Sequence, residues 1–212
     1  MKLSRYSFLI LILFAVVGFV CQSATCTSNT DSQQRKRKTG YTVVDYPSPN
    51  YDTVKVNEVK GVILHHTCEP TAQASLNVLT SVERQVSSHI VIDYDGTRYV
   101  LVAPERVAWH AGYSLLHGRE RCNDWTLGIE FQGDTKLAPL TQDQIDSAIE
   151  WLLPLIKQYD IPLDNIVTHQ MIRSAYKKAH PENKKAYDKP DITQTEYKRF
   201  MEQLREALNE KK

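Results

Sequence analysis

The stretch Val62-Ile63-Leu64-His65-His66-Thr67 constrains the fold more than any other part of the chain. Three consecutive apolar residues running straight into two histidines read as a strand buried on both faces, the kind found inside a sheet covered by helices. Side chains alternate along a strand, so His65 and His66 face opposite sides and serve different purposes. An imidazole at the end of a rigid strand suits a metal, because its position is fixed and its lone pair is available near neutral pH. Taken alone, however, His65 reads as a satisfied core histidine. A ligand role needs partners elsewhere in the chain.

Other segments fill out the sheet and its cover. Thr71 to Val86 reads as a helix, with Leu76, Leu79 and Val86 at helical spacing. His89 to Asp93 and Arg98 to Val102 flank Asp95-Gly96, a hairpin signal. Thr126 to Phe131 and Asn165 to Thr168 are further strands, the second ending at His169. Thr141-Gln142-Asp143-Gln144 matches a capping box and opens a helix carrying Ile145, Ile149, Leu152 and Ile156 on one face. A last helix starts at Thr193 and buries Tyr197, Phe200, Met201 and Leu204. Strands interspersed with helices give an α/β domain with a central mixed β-sheet flanked by helices.

The N-terminus lies outside that pattern. Lys2 and Arg5 precede an apolar run from Phe8 to Val20, too short for a comfortable membrane span, and residues 1–26 read as a secretory signal. Cys21 or Cys26 would carry the lipid of an exported lipoprotein; the alternative is an ordinary signal cleaved near Ser23 or Ala24. Residues 27–40 turn polar and include Arg35-Lys36-Arg37-Lys38, which reads as a solvated linker. The folded domain is expected over 41–212. With 26 Lys+Arg against 25 Asp+Glu, the 212-residue chain lacks the basic excess of a nucleic-acid-binding protein.

Polar residues at strand ends carry the chemistry. His65, His169 and Asp191 supply two imidazoles and a carboxylate, a donor set common at catalytic zinc, which leaves one coordination position open. Water at that position becomes acidic near a pKa of about 7. Glu130 closes the apolar run Leu127-Gly128-Ile129-Glu130 and could take such a proton and pass it to a leaving nitrogen. Lys189, two residues before Asp191, would offset charge on an oxyanion. These residues lie far apart in sequence, and no compact motif such as H-E-x-x-H joins them.

Several further stretches follow one another in order: Ser48-Pro49-Asn50-Tyr51-Asp52, Ile63-Leu64-His65-His66-Thr67, Val86-Ser87-Ser88-His89 leading to Asp95-Gly96-Thr97, and Ala108-Trp109-His110-Ala111-Gly112. Together they resemble the zinc-dependent N-acetylmuramoyl-L-alanine amidases of the amidase/peptidoglycan-recognition fold. The run from Gly118 to Glu130, containing Arg121-Cys122-Asn123-Asp124-Trp125, resembles the branch that recycles anhydro-muropeptides. The resemblance implies Zn2+ held by His65, His169 and Asp191, with Glu130 and Lys189 catalytic. It also implies that Arg121 anchors stem-peptide carboxylates, and that His66 and His110 line the substrate groove.

The chain departs from the family pattern after His169. The segment up to Lys189 is longer than usual, with the lysine-rich stretch from Ala175 to Lys185 expected to be a loop, and Asp-Pro-Gly has become Asp191-Ile192-Thr193. Asp188 and His180 are therefore rivals to Asp191 as the third ligand. No Cys68–Cys122 disulfide is expected. The function implied is hydrolysis of the amide between N-acetylmuramic acid and L-alanine in peptidoglycan or muropeptides, by a monomer in the cell envelope. The alternatives are a non-catalytic peptidoglycan-binding module and a metallopeptidase that cuts within the stem peptide.

Overall fold

All six residues of the strand containing His65 and His66 are buried. The structure, a computed structural model, describes residues 37–185 and 191–210. In chain order the strands are β1 (Val43–Asp45), β2 (Tyr51–Val56), β3 (Gly61–His66), β4 (Ile90–Ile92), β5 (Arg98–Val100), β6 (Arg106–Ala108), β7 (Leu115–Leu116), β8 (Arg119–Glu120), β9 (Thr126–Phe131) and β10 (Ile166–Thr168). The helices are α1 (Ala72–Leu79), α2 (Gln142–Tyr159), α3 (His169–Ala179) and α4 (Gln194–Asn209).

Six strands form one mixed sheet in the order β1-β5-β4-β9-β3-β10. Only β4 and β5, joined through Asp95-Gly96, pair antiparallel within it. Strands β4, β9, β3 and β10 run parallel. Two small antiparallel strand pairs, β2–β6 and β7–β8, stand apart from this sheet.

The alternation expected of β3 sorts the core into two sides. Val62 and Leu64 join Ile129, Phe131 and the apolar faces of α2 and α4, including Ile145, Ile149, Phe200 and Leu204. Ile63 faces the other way, with Val167, Trp125 and Ile172 of α3. Val91 of β4 packs with Leu76 and Leu79 of α1. Each fully buried aliphatic of this kind contributes about 1.5–3 kcal/mol relative to exposure.

Local chemistry sets the helix ends. Thr141 accepts from Gln144 N while the Gln144 side chain reaches back to Thr141 N, completing the capping box at α2. Thr193 caps α4 in the same position. Helix α1 ends at Leu79, short of the expected Val86, with Thr80 at its C-cap donating its amide and its hydroxyl to the Leu76 carbonyl.

Two expectations need correction. The stretch from His169 onward is helix as far as Ala179, so the first part of the expected loop from Ala175 is helical. Its buried side is His169, Ile172, Arg173 and Tyr176, which has helical spacing but includes the polar His169 and Arg173, and hydrophobic periodicity does not register it. The last residues of the expected linker are also docked. Arg37 lies 3.4 Å from the buried Asp146 carboxylate and donates to the Gln203 carbonyl, and Gly40 N donates to Glu150. The expected signal segment, with Cys21 and Cys26, lies outside the described residues, as do Asp188 and Lys189.

Candidate active site

Three neighbouring parallel strands deliver the site at their carboxyl ends, where open α/β sheets place ligands. His65 of β3 pairs in register with Glu130 of β9, so their side chains leave the same face. Thr168 of β10 pairs with Leu64, which puts His169 level with His65 on the other side. The chain turns at that point directly into α3, with Thr168 as its cap, so His169 belongs to both a strand end and a helix start.

Asp191 completes the group from the segment before α4. Its Oδ2 lies 3.4 Å from His65 Nδ1 and 3.3 Å from His169 Nδ1. Its Oδ1 accepts from the backbone amides of His66, at 2.8 Å, and Ile192, at 2.9 Å. These two bonds fix the carboxylate so that Oδ2 alone turns to the histidines. Burial by itself would raise the Asp191 carboxyl, but the facing imidazoles of His169 and His65 offset this and hold it well below the usual carboxylate range.

The three residues fit zinc. All are buried, and their ligand atoms lie within 4.8 Å of one another. Two donors each bound at about 2.0–2.1 Å in tetrahedral geometry stand roughly 3.3–3.4 Å apart, which matches both measured separations from Asp191. Neither His169 Nδ1 nor Asp191 Oδ2 makes a hydrogen bond among the described residues. Buried polar atoms in that position are costly unless something else satisfies them, and a cation facing both lone pairs does so.

A cavity of about 490 Å³ opens beside the group. Glu130, His169, His110 and Arg173 line it together with Trp109 and Val78. A second recess of about 620 Å³ shares Gly112, Asn123 and Arg173 with it and is bordered by Arg121, Lys185, Tyr113 and Tyr176. Arg121 sits there in a left-handed backbone conformation, exposed and bonded to Asp124.

His110 borders the cavity, whereas His66 borders neither recess. His110 reaches the cavity wall but is itself buried, with Nδ1 3.2 Å from His65 Nε2. Burial first, then the nearby imidazoles of His65 and His89, hold it well below the usual histidine range, so it is neutral near pH 7. His66 is turned to the opposite face of the sheet, where its Nδ1 accepts from Thr135 N, and it does not line either recess. His180 is 2.7 Å from Glu120 on the rim and takes no part in the cluster. Cys68 is exposed and Cys122 is buried.

Sequence reasoning passed over two residues. Arg173 lies one helical turn after His169 and borders both recesses, a placement readable only once α3 is known to be a helix. Asn123 accepts from the amides of both His110 and Ala111, at 3.0 and 2.7 Å, which ties the loop before β9 to the cavity wall.

A mixed sheet with a buried His–His–Asp donor set and a cavity-lining carboxylate at the ends of its parallel strands defines an α/β protein with a hydrolase-type site. The chain belongs to the N-acetylmuramoyl-L-alanine amidase family Amidase_2, whose model matches residues 55–183. Among its relatives, 1,6-anhydro-N-acetylmuramyl-L-alanine amidase AmpD of Enterobacter cloacae is 39% identical over 41% of this chain and 46% of that protein. The AmpD of Salmonella typhimurium is 31% identical over 58% of this chain and 75% of that protein. N-acetylmuramoyl-L-alanine amidase AmiD of Escherichia coli is 32% identical over 52% and 45%. The chain thus spans about half the length of two of these three relatives. A solved selenomethionine derivative of AmpD shares the fold, with a TM-score of 0.56 at 24% identity over 77% of this chain and 95% of that one.

Proposed function

We propose that this protein is an exported zinc amidase that hydrolyses the bond between the lactyl carboxyl of N-acetylmuramic acid and the L-alanine of the stem peptide. The observation that carries this reading is the spacing of His65, His169 and Asp191 beside Glu130 at one cavity. The names borne by its relatives support the same bond class.

Zinc held by His65 Nδ1, His169 Nδ1 and Asp191 Oδ2 would supply Lewis acidity toward the amide carbonyl and toward water. Glu130 accepts the proton of the attacking water as the new C–O bond forms. It returns that proton to the alanine nitrogen as the C–N bond breaks, so the products are a free carboxylate and a free amine. Lys189 is proposed to offset charge on the tetrahedral oxyanion. Arg121, which borders the second recess, is proposed to meet stem-peptide carboxylates. Localisation in the cell envelope, through a lipidated cysteine or a cleaved signal, is part of the same proposal and rests on residues 1–26.

The test supplies purified peptidoglycan and, separately, anhydro-muropeptides, with and without chelator and after zinc is returned. Chelator-sensitive release of peptides beginning with free L-alanine is expected. Peptides cut within the stem would make it a metallopeptidase, and binding without release by the zinc-loaded protein would make it a recognition module.

A further inference from the structure

We propose that His110 is a positioning residue for His65, holding it in the tautomer that presents Nδ1 to the metal. The inference rests on the zinc reading above and adds a residue to it that donates nothing to the ion itself.

His110 Nε2 lies 3.4 Å from both the carbonyl and the hydroxyl oxygen of Thr126. The carbonyl can only accept, and the hydroxyl spends its proton on the Cys122 carbonyl at 2.7 Å. Two acceptors therefore face Nε2, and that nitrogen must carry the proton of the neutral His110 ring. Its Nδ1 is then a lone pair, and it points at His65 Nε2 from 3.2 Å. His65 must donate there, so its own proton sits on Nε2 and its Nδ1 is left as a lone pair. That Nδ1 is the atom 3.4 Å from Asp191 Oδ2.

The surroundings hold His110 in this role. Its ring meets that of His65 edge to face, with centroids 5.3 Å apart. Gly128, two residues before Glu130, leaves the space the ring fills: a Cβ there would stand 2.7 Å from His110 Cγ. The Asn123 side chain pins the His110 backbone from the other side. Ligating histidines are oriented in this way by an acceptor on their second nitrogen, and loss of the acceptor typically weakens metal binding about 10–100-fold. Here the acceptor is a second imidazole whose own proton is dictated by the main chain.

The test compares zinc affinity, by competition with a chromophoric chelator, for the full-length protein and two variants. His110→Leu removes the acceptor at similar bulk, while His110→Asn places an amide oxygen near the former Nδ1. Zinc binding is expected to weaken about 10–100-fold in His110→Leu and to recover most of that loss in His110→Asn. Melting of the metal-free proteins, recorded alongside, separates weakened binding from a failure to fold. Nitrogen-15 imidazole spectra of the zinc-loaded unmutated protein read the tautomer with no variant at all, and His110 should carry its proton on Nε2. A proton on His110 Nδ1, or a folded His110→Leu that binds zinc as tightly as the parent, overturns the proposal. Failure of the unmutated protein to bind zinc would instead remove the zinc reading, and this inference with it.

Discussion

The backbone amide of His66 donates a 2.8 Å hydrogen bond to Asp191 Oδ1. The residue that follows the first histidine of the cluster therefore aims the carboxylate of the third member, 125 positions along the chain. Strand alternation makes this possible, because it sends the His66 ring to one face while its amide remains at the strand end. Replacing Asp191 by Ala should abolish stable zinc binding and leave the buried His66 amide without its acceptor. The second effect alone should cost about 1–3 kcal/mol of stability in the metal-free protein, measurable by urea unfolding, with zinc content read after dialysis.

The proposed role of Glu130 separates metal binding from chemistry. Glu130 lines the cavity beside His169 and is not part of the three-donor group. Glu130→Gln should keep its zinc and lose about 10²–10⁴ in turnover, the usual contribution of a positioned acid–base group. Turnover of released muropeptide and metal content on the same sample check this. Full activity in that variant would sink the proton-transfer role.

Gly128 matters for what it lacks. In Gly128→Ala the new methyl would meet the His110 ring at 2.7 Å, and the ring or β9 must shift. Overpacking of this kind costs about 1–3 kcal/mol, and displacement of His110 should also weaken zinc binding. Denaturant midpoint and zinc affinity should fall together.

His89 gives the protein a dependence on pH away from the cluster. It is buried, with Nδ1 accepting from Gly128 N and Nε2 facing the Arg106 carbonyl. Burial pushes its pKa down from 6.5 to about 4. The unfolded chain therefore binds the extra proton first as pH falls. The contribution is fully present above about pH 6.5 and is lost as pH drops through about 4, an effect on the order of 3 kcal/mol. Unfolding free energy of the metal-free protein should decline across that window, and His89→Asn, which keeps an acceptor but takes up no proton, should flatten the decline.

Arg121 tests the proposed substrate contact. Its side chain is exposed and paired with Asp124 three residues on, so Arg121→Ala should change stability by no more than about 0.5 kcal/mol. If the residue meets stem-peptide carboxylates, KM should rise with kcat little changed. An unchanged KM for peptides bearing those carboxylates would remove Arg121 from the substrate site.

Much of the architecture was legible in the sequence because it depends on local rules. The apolar run before His65, the Asp95-Gly96 turn and the Thr141 capping box each specify their element within a few residues. They place His65, Glu130 and His169 at strand ends before any tertiary contact is known. Helix α3 escaped because its buried face includes His169 and Arg173, residues that periodicity counts as polar.

The choice among Asp191, Asp188 and His180 as third ligand could not be made along the chain. Among the described residues, His180 is turned to Glu120, while Asp191 is held by two backbone amides at the cluster. The same holds for the two neighbours His65 and His110, read from sequence as a ligand and a groove residue and found 3.2 Å apart. The sequence by itself determined which side chains stand at the ends of which strands, since propensity and alternation act over a few residues. Only the tertiary structure decided which of their atoms face one another, because hydrogen-bond direction and tautomer depend on groups brought together from distant parts of the chain.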